Sequence, residues 1–297
     1  NFSSNERCAQ NGVTVAGGHG LGGATNQLKG RYAVFIDIDQ TIVIADYWNH
    51  RITQWKMNDT KGQVVAGGHG QEKQLNQLCF PTDVLIDQET SNLVICDRGN
   101  RRILLWSRRS STAQGEILLD GIRCRGLAMD DKRCLYISDN DKHEVRRYQL
   151  GDKKGNIVAG GHGKGDGLNQ FNWPTFIFVD RQQTIYVSDN ENHRVMKWNK
   201  RAKEDIVIAG GQGEGKALTQ LSSPKGLFVD YLDAIYVADT GNHRVMRGPK
   251  GAKQGTVIVG GKGANKLYYP EALTFDQHGH LYVVDLGNDR VQRFSIE

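Results

Sequence analysis

The stretch DNENHRV, Asp189 to Val195, ends one β-branched strand and opens another, and the chain repeats it as DTGNHRV from Asp239 to Val245 and DYWNHRI from Asp46 to Ile52. With its weaker copies, the pattern of an Asp, two variable residues and an Asn/His/Arg cluster begins at Asp46, Asp97, Asp139, Asp189, Asp239 and Asp285. The intervals are 51, 42, 50, 50 and 46 residues, a period that fits a four-stranded propeller blade better than a helical-hairpin repeat. Runs such as YAVFID (Tyr32 to Asp37), TIVIAD (Thr41 to Asp46) and QVVAGG (Gln63 to Gly68) are rich in Val, Ile and aromatics and bounded by turn residues, as strands are. No stretch has the periodicity of more than a short helical turn.

Aligning the copies gives four strands per unit. The innermost is represented by TFIFVD (Thr175 to Asp180), the second by TIYVSD (Thr184 to Asp189), the third by HRVMKW (His193 to Trp198) and the fourth by IVIAGG from Ile206. The two ends of the chain complement each other: GVTVAGG (Gly12 to Gly18) is a fourth strand without the preceding three, and Glu271 to Ile296 supplies three strands without a fourth. The expected fold is therefore all-β, a six-bladed propeller of four-stranded antiparallel blades whose N-terminal strand closes the last blade and so removes exposed sheet edges. Residues 1–297 are expected to form one domain, with 1–11 as an N-terminal extension and 12–18 as the closing strand.

The D-x-x-N-H-R-V cores and strands such as AIYVAD (Ala234 to Asp239) resemble NHL repeats over nearly all of the chain. The resemblance implies a six-bladed propeller. It implies no single activity, because similar propellers serve as enzymes, RNA-binding domains, receptor domains and extracellular scaffolds. The reiterated GGHG and NQL segments are most similar to the expanded NHL-repeat proteins of some invertebrates.

Charge is a weak guide to partners. The 38 Lys and Arg exceed the 33 Asp and Glu by only five, and the basic residues are spread over all the repeats; a nucleic-acid footprint would gather them on one face. No apolar run approaches the length of a membrane span and no signal peptide is recognisable, so no membrane insertion is expected. The chain begins at Asn1 without an initiator Met, which points to a processed or excised chain. Asn1-Phe2-Ser3 and Asn58-Asp59-Thr60 are glycosylation sequons, compatible with a secreted glycoprotein; a cytoplasmic location is the alternative. Of the five cysteines, Cys8, Cys79, Cys96, Cys124 and Cys134, at least one must stay unpaired within the chain. A turn at Asp131 and Lys132 would put Met129 opposite Cys134 and carry Cys124 out of its reach. One pair among Cys79, Cys96 and Cys124 is the alternative, since all three fall near the same end of the second and third blades.

The repeated Asp, His and Arg suggest an oriented general base, but repetition in every blade argues for a structural role. The Asp closes a strand where a carboxylate can accept backbone N–H bonds, and the Asn can take a left-handed φ. Arg51, Arg102, Arg194, Arg244 and Arg290, five residues after their Asp, would bridge to a carboxylate or carbonyl. The third copy departs from this, with Glu144 in place of Arg. The GGHG loops at His19, His69 and His162 lack the helix that phosphate cradles need, and Gln212 and Lys262 replace the His in later copies. His278-Gly279-His280 has metal-compatible spacing but no third ligand.

The peptide-amidating lyases resemble this fold and would place zinc-binding His at the start of the inner strands; here those positions lie around Arg31, Thr82, Arg125, Thr175, Lys225 and Glu271, with no His among them. Neither G-x-S-x-G nor H-E-x-x-H occurs. No metal or cofactor is expected. The loops leading into the inner strands share a face with the turns between second and third strands, and their residues differ from copy to copy. The candidates for ligand binding there are Arg31, Tyr32, Tyr47, Trp48, Arg98, Arg125, Lys142, Glu191, Lys225 and Glu271, with Trp173, Tyr268 and Tyr269 beside prolines. The third blade lacks the long loop before it, which predicts a notch in the rim beside Arg125. A non-catalytic scaffold binding a protein, peptide or glycan is the first expectation. Single-stranded RNA binding by Arg31, Tyr32, Arg98, Arg125, Lys142 and Lys225 is the second, and a propeller enzyme, lyase or hydrolase, acting in the central channel is the third.

Overall fold

A computed structural model describes residues 11–30, 33–108, 114–199, 206–260 and 266–295. Among these residues six sheets form, each of four antiparallel strands in simple meander order. The inner strands are Val34–Ile36, Pro81–Ile86, Cys124–Met129, Pro174–Val179, Pro224–Val229 and Pro270–Phe275, and every second strand ends at an anchor Asp, as in Ile185–Asp189 and Ile235–Asp239. In the last blade the outer strand is Val13–Gly17, paired with Arg290–Phe294 through Val13 opposite Arg293 and Gly17 opposite Arg290. The ring is closed by the two ends of the chain, as the sequence implies.

Burial explains the strand sequences. Each second strand lies in mid-sheet between neighbouring blades, so all five residues of Ile42–Asp46, Leu93–Asp97 and Ile185–Asp189 are buried. Apolar side chains meet between consecutive blades: Val43, Ala45 and Ile52 of the first pack on Val84, Ile95 and Trp106 of the second. Such packing fixes the blades to each other.

The D-x-x-N-H-R turn accounts for the rest. Asp189 Oδ1 accepts the Asn172 amide at 2.7 Å, while its Oδ2 accepts from Asn192 Nδ2 and Arg194 Nε at 2.8 and 2.7 Å. Arg194 then donates to the carbonyls of Asp166, Gly167 and Gln170 in the loop that leads into its own blade. Arg51, Arg102 and Arg244 hold their loops in the same way. The third blade explains its own exception. Its leading segment from Asp120 to Cys124 has no long loop, so an Arg there would have no carbonyls to hold, and Glu144 instead pairs with Arg146.

One residue of the motif behaves otherwise than expected. The Asn sits inside a 3-10 turn, and the left-handed φ falls on the next residue: 53° at His50, 54° at His143, 51° at His193 and 57° at His243. The Asn is excluded because its amide must span the Asp carboxylate and a loop carbonyl at once. The His in turn accepts, at Nδ1, the backbone N–H of the residue before the next inner strand: Phe80 on His50, Trp173 on His143, Ser223 on His193 and Tyr269 on His243. Accepting at Nδ1 requires neutral imidazole with its proton on Nε2. Burial agrees, pushing His50 and His143 below the usual imidazole range. The repeated His is thus a latch between blades.

Cys96 and Cys124 form a disulfide that joins the second strand of the second blade to the inner strand of the third, while Cys79 and Cys134 are free. Cys134 lies in a strand whose register puts Leu135 opposite Met129, one residue from the expected pairing, and Cys124 opposite Asp139. The bridge stands at the junction that lacks the long loop. Closing 28 residues of sequence, it is expected to contribute roughly 2–4 kcal/mol. A Cys96→Ala/Cys124→Ala protein should show that loss in its denaturant midpoint, and an unchanged midpoint would show the bridge to be thermodynamically idle.

Candidate functional site on the loop face

Two of the expected site residues, Arg31 and Tyr32, lie outside the described residues. Six of the other eight divide into three groups. Glu271, buried at the start of its inner strand, receives Arg125 Nη2 at 2.5 Å and Lys225 Nζ at 2.6 Å. Arg125 is in the third blade and Glu271 in the sixth, so this contact crosses the ring between opposite blades. Arg125 also lies over the ring of Phe176, 5.9 Å from its centroid. The three charges close the mouth of the central channel. The side chain of Arg125 turns inward and is 4% exposed.

The second group is aromatic. Tyr47, Trp48 and Phe80 pack together with ring centroids 4.9–5.3 Å apart, and His50 stacks edge-on against Phe80 at 4.6 Å. Trp48 keeps 51% of its surface exposed. Its position depends on Gly30, whose φ is 93° and where a Cβ would fall 1.8 Å from Trp48 Cδ1. Across the face, Tyr268 and Tyr269 pack on His243 with the same 3-10 turn and latch beneath them. They are 49% and 41% exposed. The latch raises the residue before each proline into a left-handed conformation, with φ 50° at Phe80, 62° at Trp173 and 53° at Tyr269. That is why aromatic residues at these positions stand up from the face.

Arg98 forms the third group. It is half-buried beside Tyr47, and burial followed by the neighbouring Arg123 and Arg125 pulls its guanidinium below the usual range. Its Nε is buried without a hydrogen-bond partner. Arg123 and Arg101 do not share this condition, because both donate to Asp141, at 3.0 and 2.8 Å. Sequence reading missed Arg123 and Phe80, and both could have been found by aligning the residue before each inner strand. Lys142 and Glu191 are exposed on the rim and join none of these groups. Among the described residues no three His, Cys, Asp or Glu side chains gather as a metal set, and no helix is long and apolar enough to cross a membrane.

Comparison with known proteins agrees with the geometry. The NHL repeat family matches residues 171–198, the fourth copy of the motif. No curated protein matches the chain in sequence. Among solved structures, an auxiliary nutrient binding protein from Bacteroides thetaiotaomicron superposes with a TM-score of 0.74 at 14% identity, covering 96% of this chain and 76% of that one. A gluconolactonase from Xanthomonas campestris gives 0.68 at 15% identity, covering 99% and 91%, and a virginiamycin B lyase from Staphylococcus aureus 0.60 at 11%, covering 93% and 86%. Likeness at such identities is likeness of fold.

Proposed function

Because the chain is a six-bladed propeller built of NHL repeats, we propose that it is a non-catalytic binding module whose loop face takes a protein or peptide partner bearing a carboxylate. The observation that carries this reading is the half-buried Arg98 beside Tyr47, whose cluster leaves Trp48 half exposed on the loop face. A guanidinium beside exposed aromatic rings offers an incoming carboxylate charge-assisted hydrogen bonds, which are stronger than neutral ones. Exposed Trp and Tyr beside Arg are the residue types that dominate interface energies. A latched, closed ring holds them rigid, which limits the entropy lost on binding. RNA is the weaker reading, because Arg125 and Lys225, two of the cations it would use, already donate to the buried Glu271 carboxylate. The channel enzyme is also weaker, because the same ion network fills its mouth on this face.

The Cys96–Cys124 disulfide supports an oxidising, extracellular location. Asn58, exposed in the hairpin after the third strand of the first blade, would then be open to glycosylation. The test is selection of a displayed random-peptide library on the intact protein. Peptides containing Asp or Glu should be enriched, and Trp48→Ala or Arg98→Gln should weaken them at least about tenfold with circular dichroism unchanged. Enriched peptides indifferent to both substitutions would overturn the reading. Binding of oligouridine at low salt, lost steeply as salt rises, would replace it with the RNA reading.

A further inference from the structure

The channel below the ion network is a second, separate place for a ligand. Beneath Arg125 and Glu271 the inner strands enclose a cavity of about 550 Å³, within the range of small-molecule pockets. Its wall combines apolar side chains, Phe35, Phe176, Phe178 and Phe228 among them, with charged residues that include Asp83, Asp87, Glu89 and Arg133. Among the described residues its lining includes none of Thr82, Arg125, Thr175, Lys225 and Glu271 at the loop-face ends of the inner strands. Its lining runs from Ala33 and Ala272 down to Asp87, Glu89, Asp130 and Asp131 at the hairpins of the opposite face.

Asp83 is the anomaly in this wall. Its counterparts in the other inner strands are Ala33, Gly126, Phe176, Gly226 and Ala272, so the repeat itself asks for no acid there. The carboxylate is buried and accepts two backbone amides, Val84 N at 2.8 Å and Leu127 N at 2.7 Å. Those two bonds leave lone pairs free on both oxygens. The hairpin end of each inner strand adds another acid, Asp37, Asp87, Asp130, Asp180, Asp230 and Asp276. Among the described residues Asp37 and Asp87 have an Arg ion pair at 2.5 and 2.6 Å, from Arg108 and Arg133, Arg147 reaches 4.0 Å from Asp130, and His280 Nδ1 lies 2.9 Å from Asp276. Of these the cavity lining includes Asp87 and Asp130, with Glu89 and Asp131 beside them and Arg133 as its one described cation, and a rim with an excess of one sign of charge concentrates ions of the other.

We propose that this cavity binds a small organic cation with a flat apolar body, its ammonium against Asp83 and its ring among Phe35, Phe176, Phe178 and Phe228. The carboxylate supplies the charge partner, and the aromatic faces favour both the apolar body and the cation. The site approaches from the face opposite Trp48 and Arg98, so it stands independently of the peptide-binding reading.

Phenethylamine, 2-phenylethanol and 3-phenylpropionate, matched in size and differing in charge, form the test by titration calorimetry on the intact protein. Phenethylamine should bind with a submillimolar Kd, the alcohol at least about tenfold more weakly and the acid not detectably. Asp83→Asn should cost the amine roughly thirtyfold or more and leave the alcohol nearly unchanged. Ala128→Trp, which fills the cavity from a small wall position, should remove binding of both. The three-ligand comparison on the unaltered protein does not depend on either variant folding. Absence of amine binding at millimolar concentration, or equal affinity for amine and alcohol, would overturn the proposal, as would amine binding that survives both substitutions.

Discussion

Glu271→Ala is expected to destabilise the propeller by about 3–5 kcal/mol, the cost of leaving a buried charge without its partner. The side chains concerned are nearly removed from water, with Glu271 1%, Arg125 4% and Lys225 12% exposed, so solvent screening cannot absorb the loss as it does for surface pairs. Two cations lose an ion pair by one substitution. Glu271→Gln should cost less, because the amide oxygen still accepts one of the two hydrogen bonds. Replacing Arg125 and Glu271 together by Met and Leu should recover part of the loss, since a buried pair exchanged whole for apolar groups is often neutral. Denaturant midpoints, with the slope checked for constancy, measure all three. A cost below about 1 kcal/mol for Glu271→Ala would place the network among idle ion pairs. The substitution also changes recognition: it removes one negative charge beside Arg125 and Lys225, and oligouridine binding at low salt should rise.

What the sequence could disclose of this arrangement follows from how far each contact reaches along the chain. The Asp–Arg pairs span five residues and recur in register, so their structural role is legible from spacing alone. The latch from His193 to Ser223 spans 30 residues, one blade, and repetition shows that the His matters but not which atom accepts. The contact from Arg125 to Glu271 spans 146 residues and occurs once. No periodic signal can report a unique contact across a ring, which is why both residues read as exposed ligand-binding candidates when they in fact neutralise each other. Asp83 was legible in another way, as the one acid in an aligned column of Ala, Gly and Phe. Attention to the Asp that every copy shares obscured the Asp that only one copy has. The loss of the long loop and the change of Arg to Glu144 were visible separately; their common cause appears only once the Arg is seen holding loop carbonyls.

Asp83→Asn is expected to stabilise the fold at pH 8 and not at pH 4.5. Burial raises the Asp83 carboxyl to about 7, against the pull of the Leu127 and Val84 amides and of Arg125, whereas an unfolded Asp titrates at about 3.9. Between these values the folded protein holds a proton that the unfolded chain has released, so stability falls as pH rises through that window. Above it both states are ionised and the penalty is constant, at most about 4 kcal/mol for a shift of roughly three units. Asn never ionises, but it can accept only with its single oxygen and forfeits one amide bond worth about 1 kcal/mol. The variant should therefore be slightly less stable than the parent at pH 4.5 and about 3 kcal/mol more stable at pH 8. Thermal midpoints of the two proteins across that range decide it, and a difference that stays flat or favours the parent at pH 8 would refute a strained carboxylate. The same experiment bears on the cavity. An organic ammonium that pairs with ionised Asp83 stabilises only the parent, by RT ln(1 + [L]/Kd), so phenethylamine should narrow the gap between the two proteins at pH 8. Narrowing of that gap by the amine, and not by 2-phenylethanol, separates a ligand site from a merely buried acid.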